Sequence, residues 1–298
     1  MNSTIRSASH KKYWYSDDKI ILGKQLSEYF ADSEKNSQYN SLKSIIVPHS
    51  GLRYGGPTAA KAFINVNPDN FDRAVILGPS HHKYFEGGAL TTFNKFETPF
   101  GNIDVDTKTT NYLLKDSEHF FPFSQSDDVQ EHSIEMELPF LKYIFQDRKF
   151  TILPMVIGHG DFAQNKELAK CLYDLYEDPK TLFVISSDFC HWGRDFRYTY
   201  YNNKFKTVWE STQDLDNQAL NIISEMDSKK FDNYIKNTKN TICGRNPITI
   251  ILSIIEEYQK KHQDKKISFD KAGYAQSDKV MNMNGRSVSY AAGVNFIL

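Results

Sequence analysis

Short apolar runs alternate along the chain with longer segments of mixed polarity. The runs lack a strict apolar and polar alternation, which is typical of strands buried on both faces of a parallel sheet. They cover residues 44–47, 74–77, 150–153 with 155–157, and 182–185. The segments between them have helical character over residues 58–66, 107–115, 133–145 and 166–176. The pattern predicts an α/β/α sandwich with a central, mostly parallel sheet.

Two further segments complete the pattern. Residues 32–43 are polar and predict a loop, and the Val, Tyr, Phe and Ile content of residues 287–298 predicts one more strand. Apolar segments adjoin the polar stretch directly on both sides, and no internal repeat stands out. We therefore expect a single domain over residues 1–298.

Two helix starts carry capping signals. Asp128 and Glu131 have the spacing of a capping box. Asn246 precedes Pro247, which places a cap residue before proline at the first helical position, ahead of a helix over residues 248–258. Both signals predict that a helix begins there.

Composition narrows the classes of function. The chain has 298 residues, with 36 Lys and Arg against 37 Asp and Glu, and its basic residues are dispersed, so no nucleic-acid partner is expected. The longest apolar stretch, residues 248–255, is far below the roughly 20 residues of a membrane helix, so no membrane span is expected. Three cysteines and the absence of an apolar leader favour the reducing cytoplasm, with the nucleus as a second compartment.

Chemically versatile residues follow three of the predicted strands. His49 comes after the first run, His81 and His82 after the second, and Asp188 and His191 after the fourth. The carboxyl ends of parallel strands are where ligands bind in open α/β sheets. Taken singly, each residue has a structural explanation, and neighbours such as His81 and His82 point apart, so at most one of them is expected to be a ligand. Together they predict a metal site or an acid–base site.

Cys243 lies just before the predicted second helix start, close to Arg245. A thiol at that place is expected to have a lowered pKa, and its thiolate would be a metal ligand or a nucleophile. The alternative is a small buried apolar residue. That alternative suits Cys171 better, and Cys190 is ambiguous.

The remaining histidines give weaker signals. Glu131 is explained by its capping role, and His132 beside it is either a group supporting the site or a purely structural histidine. No function is expected for the others, which are His10, His119, His159 and His262.

Several longer motifs extend over nearly the whole chain. They are Val47-Pro-His-Ser-Gly51, Tyr54-x-Gly-Pro57, Ile76-Leu-Gly-Pro-Ser-His-His82, Thr98-Pro99 with Ile103-x-Val-Asp106, Asp128-x-x-Glu-His-Ser-Ile-Glu-Met136, Val184-Ile-Ser-Ser-Asp-Phe-Cys-His-Trp-Gly193, Phe196-Arg-Tyr198, Asn240-Thr-Ile-Cys-Gly-Arg245 and Ser287-Val-Ser-Tyr-Ala-Ala-Gly293. In these motifs the chain resembles the Memo family, the mediators of cell motility.

The resemblance implies a fold similar to that of the class III, LigB-type extradiol dioxygenases, which hold ferrous iron with two histidines and a carboxylate. The family's metal positions correspond here to His49, His81 and Cys243, so a cysteine stands in the place of the carboxylate. Asp188 and His191 correspond to the remaining polar residues of the pocket, with His191 at the acid–base position.

The sequence departs from the family pattern near the pocket rim. Lys11, Lys12 and Tyr13 replace small residues of the family, and Leu52 replaces a tyrosine. These changes bear on which ligand the pocket accepts, whereas the metal and acid–base positions are all present.

The first hypothesis is a metal-binding redox protein linked to motility signalling and metal homeostasis. His49, His81 and Cys243 would hold Fe(II) or copper, with zinc less favoured. His191 would move protons, and Asp188 would orient it or support the metal from outside. The expected chemistry is metal-dependent oxidation of a substrate that the sequence does not identify, or reduction of oxygen.

Two alternatives remain open. The family has been described as a signalling adaptor, and a cleft with Trp14, Tyr54, His132 and Arg194 or Arg197 would accept a phosphotyrosine peptide without any metal. A weaker alternative is a zinc hydrolase that uses metal-activated water.

Overall fold

The computed structural model describes residues 4–39 and 41–298 of the chain. In that part of the chain it has a mixed α/β architecture. The strands are β1 Ile5–Arg6, β2 Leu42–Val47, β3 Arg73–Pro79, β4 Gly88–Leu90, β5 Lys95–Phe96, β6 Ile103–Val105, β7 Phe120–Pro122, β8 Thr151–Ile157, β9 Thr181–Ser186, β10 His191–Trp192, β11 Ile267–Gln276 and β12 Ser287–Ile297. The helices are α1 Lys19–Ala31, α2 Leu52–Phe63, α3 Thr107–Asp116, α4 Gln125–Gln130, α5 Leu138–Phe145, α6 Phe162–Glu177, α7 Val208–Ser224, α8 Ser228–Thr238 and α9 Arg245–Lys261.

The centre of the sheet is parallel. β6, β8, β3, β9 and β2 are neighbours in that order, and every adjacent pair in this series is parallel. β12 pairs antiparallel with β2 and carries β10 and β11 antiparallel beside it. β5 and β1 extend the other edge. The predicted α/β fold with a mostly parallel central sheet is confirmed.

The sheet separates two hydrophobic cores. Successive residues of a strand point to opposite faces, so Val75 and Leu77 join one core while Ala74 and Ile76 join the other. The first core is covered by α6, α7, α8 and α9, and the second by α1, α2 and α5. Because both faces are buried, the central strands are apolar over most of their length, and the sequence therefore shows continuous apolar runs. Polar exceptions such as Lys43 and Ser44 lie near the start of β2.

The predicted elements differ from the structure mainly at their ends. The five predicted strand segments lie in β2, β3, β8, β9 and β12. The first predicted helix, over residues 58–66, begins earlier as α2, and the segment 133–145 divides into a 3-10 turn, Glu135–Glu137, followed by α5. The predicted loop 32–43 contains another 3-10 turn and the start of β2.

Both helix starts that the capping signals predicted are wrong. Ser124 caps α4, and Asp128 lies inside that helix, where it forms a buried ion pair with Arg6 at 2.8 Å. Glu131 follows the helix rather than opening one. The last long helix begins before the predicted Asn246, since α9 starts next to Gly244, which offers no side-chain cap.

Among the residues that the structure describes, no helix combines the length and the apolar character needed to cross a bilayer. The longest apolar run lies in α9, where Ile250, Ile251 and Ile254 are fully buried in the first core.

Candidate metal centre

Three parallel strands end beside one another and deliver the first residues of the site. His49 lies two residues beyond β2, His81 two residues beyond β3, and Asp188 two residues beyond β9. Because β9 pairs with both β2 and β3, the loops that follow the three strands meet at one edge of the sheet.

Three imidazoles form the centre of this edge. One ring nitrogen from each of His49, His81 and His132 lies within 4.8 Å of the other two. The ring centroids are 5.1 Å apart for His49 and His81, and 4.3 Å apart for His81 and His132, which are stacked. His132 therefore lies within the cluster itself rather than only along the cleft. His82 is exposed, as His81 is, and its ring centroid lies 6.2 Å from that of His132, so it borders the cluster without belonging to it.

Cys243 reaches the cluster from the segment before α9. Its Sγ lies 3.1 Å from Nε2 of His49 and accepts a hydrogen bond from the backbone N–H of Asp188 at 3.2 Å. The expectation of a lowered pKa is wrong. Burial raises the pKa of the Cys243 thiol and the Asp188 carboxylate raises it further, while Arg245 is exposed. Without a metal the sulfur therefore keeps its proton.

Each of two rings is held from behind by a hydrogen bond to Nδ1. Nδ1 of His49 lies 2.7 Å from Oγ of Ser186, and Nδ1 of His81 lies 2.9 Å from the Glu131 carboxylate. This arrangement leaves Nε2 of each ring for a ligand, as is usual for metal-binding histidines. Burial lowers the pKa of His49, and it lowers the pKa of His132 to about 2, so both rings are neutral and offer lone pairs.

Glu131 is a site residue that the sequence reasoning assigned to a helix cap. It accepts hydrogen bonds from the backbone N–H groups of His81, His132 and Ser133, as well as from the His81 ring. Burial alone would raise the pKa of Glu131, but these hydrogen bonds outweigh it and hold the pKa below its ordinary value. The sequence shows Glu131 three residues after Asp128. It does not show that the Glu131 carboxylate accepts four hydrogen bonds, because the donors come together only in the tertiary structure.

A second carboxylate network was also missed. Glu135 accepts from Arg6 at 2.6 Å, from Tyr15 at 2.8 Å and from the ring of His10 at 2.9 Å. Burial opposes ionisation, but the His10 hydrogen bond and the Arg6 charge lower the pKa of Glu135 to about 2. The His10 ring lies 5.8 Å from His132, so a histidine that the sequence analysis set aside borders the cluster.

Asp188 and His191 have separate surroundings. The Asp188 carboxylate accepts from the backbone N–H of His49 at 3.0 Å and from the Ser50 hydroxyl, so it fixes the loop that carries His49. Nδ1 of His191 donates to the carbonyl oxygen of Phe189 at 2.9 Å, which leaves Nε2 as the basic nitrogen of that ring. In the described part of the chain these two side chains are not hydrogen-bonded to each other.

A cavity of about 370 Å³ adjoins the cluster. Trp14 and Tyr54 line it, and the Trp14 ring lies 4.5 Å from that of His132, which joins the cavity wall to the imidazoles. Arg194 is exposed and lies outside the lining, and the arginine in the lining is Arg286, paired with Asp195 at 3.1 Å.

The family departures occupy the rim and the adjoining helix. Tyr13 is 91% exposed and lines the cavity, Lys11 pairs with Glu97 at 2.8 Å, and Leu52 is buried at the start of α2. Lys12 has a positive φ of 77°, which turns the chain at the rim.

Comparison with known proteins places this site in a family. Residues 6–294 match the family described as Memo-like protein. The chain is 39% identical to Protein MEMO1 of Homo sapiens over 290 residues, 97% of this chain and 96% of that protein. It is 37% identical to Protein memo-1 homolog of Caenorhabditis elegans over 293 residues, 98% of this chain and 83% of that protein.

Among solved structures, the uncharacterized protein JW3007 of Escherichia coli K12 aligns with a TM-score of 0.49 and 9% identity, over 86% of this chain and 99% of that one. The chain belongs to the Memo-like family, as its motifs predicted.

Proposed function

We propose that this protein is a metal-binding redox protein whose ion is held by His49, His81 and Cys243, with His132 as a further ligand. The observation that carries the proposal is the convergence of three imidazole nitrogens within 4.8 Å. These segments are far apart along the chain, and neutral rings with free lone pairs are what a transition metal requires.

The donor set fits iron(II) or copper and leaves zinc as a less favoured choice. Imidazole nitrogen and thiolate sulfur suit all three metals, and the thiol of Cys243 would lose its proton on binding. A bound iron or copper ion would supply one-electron chemistry toward oxygen or a small substrate.

The chain's own residues would position the reactants and move protons. Asp188 fixes the loop of His49 through the backbone N–H at 3.0 Å. His191 would accept or release a proton at Nε2, because its Nδ1 is engaged by the Phe189 carbonyl. Trp14 and Tyr54 would bind an apolar or aromatic part of the substrate in the adjoining cavity.

Metal analysis of the purified protein tests the proposal. His49→Ala, His81→Ala, His132→Ala and Cys243→Ser are each expected to lose iron or copper. His82→Ala, which changes the adjacent histidine outside the three-ring cluster, is the matched control and is expected to keep the metal. Wild-type stoichiometry in the four variants would refute the assignment. Oxygen consumption by the iron- or copper-loaded protein tests the redox activity, and zinc alone without oxygen consumption would favour a hydrolase.

A phosphotyrosine adaptor is the second candidate function. It is favoured by the aromatic cavity walls and by the guanidinium of Arg286 in the lining. Asp278 also lines the cavity and Arg286 is already paired with Asp195, so the charge available for a phosphate is small. Titration with a phosphotyrosine peptide separates the two candidates. Binding that is lost in Arg286→Ala, yet unaffected by chelator and by His49→Ala, would favour the adaptor.

A further inference from the structure

Glu137 is a buried acid with no role in the proposed metal centre. It closes the 3-10 turn Glu135–Glu137, and its side chain is fully buried. Oε1 lies 2.8 Å from the hydroxyl of Ser186, and Oε2 meets no hydrogen-bond partner within the described ranges. Glu135, two residues earlier, is surrounded by donors. Two glutamates of one short turn therefore have opposite environments.

The hydroxyl of Ser186 has three polar neighbours. Its Oγ lies 2.6 Å from the carbonyl oxygen of Ser133, 2.7 Å from Nδ1 of His49 and 2.8 Å from Oε1 of Glu137. A hydroxyl donates one hydrogen bond and accepts two. The carbonyl oxygen can only accept, so the Ser186 proton points to Ser133. The other two neighbours must then donate to Ser186, which requires a proton on Nδ1 of His49 and a proton on Glu137.

The electrostatic surroundings of Glu137 agree with this assignment. Burial raises the pKa of Glu137, and the Asp188 carboxylate raises it further, while the Ser186 hydroxyl only partly opposes them. No cation is among the groups that shift the pKa of Glu137, and the buried Arg6 is engaged by Asp128 and Glu135. A buried carboxylate without a cation and with one unpartnered oxygen is unfavourable, whereas a neutral acid satisfies Ser186 completely.

We propose that Glu137 is a positioning residue that acts as a neutral carboxylic acid: it donates to Ser186, and Ser186 in turn holds the ring of His49 and the segment after His132. Through this one hydroxyl, the ends of β2 and β9 and the 131–134 segment are locked together. Nε2 of His49 is then the ring nitrogen that faces Cys243. The consequence for metal affinity rests on the proposed function, but the protonation of Glu137 does not.

Infrared spectroscopy of the metal-free, full-length protein at pH 7.5 tests the protonation directly. The difference spectrum of wild type minus Glu137→Gln is expected to contain the carbonyl band of a protonated carboxyl group, shifted in D₂O. Glu135→Gln is the matched control, the same substitution two residues away. Its difference spectrum is expected to lack the protonated carboxyl band and to contain carboxylate bands instead. A Glu137 difference spectrum without a protonated carboxyl band would overturn the proposal.

Measurements of melting temperature and of Zn²⁺ affinity distinguish a positioning role of Glu137 from a merely structural one. Glu137→Gln keeps an N–H donor for Ser186 and is expected to melt close to wild type, whereas Glu135→Gln is expected to melt roughly 5 °C or more lower. In Zn²⁺ titrations, Glu137→Gln is expected to match wild type. Glu137→Leu and Ser186→Ala, which remove the donor and the relay, are expected to bind roughly tenfold or more weakly.

Equal loss of Zn²⁺ affinity in Glu137→Gln and Glu137→Leu would contradict the donor role. If the wild-type protein binds none of Zn²⁺, Fe²⁺ and copper, the proposed metal function fails, and the infrared result still decides the state of Glu137.

Discussion

In His49 and His81, the hydrogen-bond partner of Nδ1 decides which ring nitrogen remains free to bind an ion. Nδ1 of His81 faces the Glu131 carboxylate and Nδ1 of His49 faces Ser186, so the nitrogens that face the shared space are the Nε2 atoms. The strand-end position of His49, His81 and Asp188 was visible in the sequence, because apolar runs end just before them. What lies behind the rings was not visible, because Glu131 and Ser186 come from segments remote in sequence.

Glu131→Gln is expected to weaken metal binding by roughly 10- to 100-fold. The carboxylate accepts four hydrogen bonds, and an amide nitrogen in place of one oxygen would present a donor to donors. Calorimetric titration of the chelator-stripped protein with Zn²⁺ measures the change. The exposed Glu34→Gln is the control, and an affinity of Glu131→Gln equal to that of the control would show that Glu131 does not orient His81.

Glu135 makes folding stability sensitive to acid. Its folded-state pKa of about 2 lies below the ordinary value of 4.5, so the unfolded chain takes up the proton first as the pH falls. The stabilisation is complete above pH 4.5 and is lost as the pH falls toward 2. Between pH 5 and pH 3, wild type is expected to lose about 2 kcal/mol more unfolding free energy than Glu135→Gln.

Urea unfolding of the two proteins at both pH values measures this difference. Glu34→Gln, at an exposed position, serves as the control and is expected to follow wild type. Parallel pH dependences for wild type and Glu135→Gln would mean that Glu135 titrates normally in the folded protein.

At the scale of elements, the sequence was most informative where burial is complete on both faces, and it also predicted the amphipathic helices α3 and α6. The central strands were found because each contains a short apolar run. Helix α1 was missed because Leu22 and Leu26 are its only buried residues, while Ile20 and Ile21 are exposed, so its sequence has no clear apolar stripe. The capping box failed for a related reason, since Asp128 is used by Arg6 in the tertiary structure.

The glycine near the end of β3 lets the segment that carries His132 pack against the sheet. A Cβ on Gly78 would lie 2.6 Å from Oγ and 2.9 Å from Cβ of Ser133. Gly78→Ala is therefore expected to lower the unfolding free energy by about 1–3 kcal/mol, and also to weaken Zn²⁺ binding because His132 moves with Ser133.

Gly23→Ala is the matched control within α1, where the new Cβ would meet only Phe100 at an ordinary 3.7 Å. It is expected to stabilise the protein by about 0.5–1 kcal/mol and to leave Zn²⁺ binding unchanged. Urea unfolding and Zn²⁺ titration measure both variants. If Gly78→Ala behaved like Gly23→Ala, the close packing of the His132 segment would not matter for the site.

At the scale of the whole molecule, the site exists only because of strand order. β2 and β3 are consecutive among the long strands, but β9 lies between them in the sheet, and this insertion brings Asp188 and Ser186 beside His49. Strand order is not encoded in any local pattern, so sequence reasoning alone gave the ends of the strands but not their neighbours. The resemblance to a family predicted His49, His81 and Cys243 together as metal ligands. The structure places His132 beside His49 and His81.

Because the candidate ligands come from four remote segments, a metal bound by them must stabilise the whole fold. A ligand present at about 100 times its dissociation constant adds about 2.7 kcal/mol to the unfolding free energy, which for a chain of this length corresponds to a rise in melting temperature of roughly 4 °C. Scanning calorimetry of the chelator-stripped protein with and without Zn²⁺ is expected to show this rise in wild type and in His82→Ala. The increment is expected to vanish when His49→Ala and Cys243→Ser are combined, since the remaining imidazoles hold the ion weakly. An equal increment in that double variant would place the bound metal elsewhere on the molecule, because only a site built from these segments couples their convergence to ion binding.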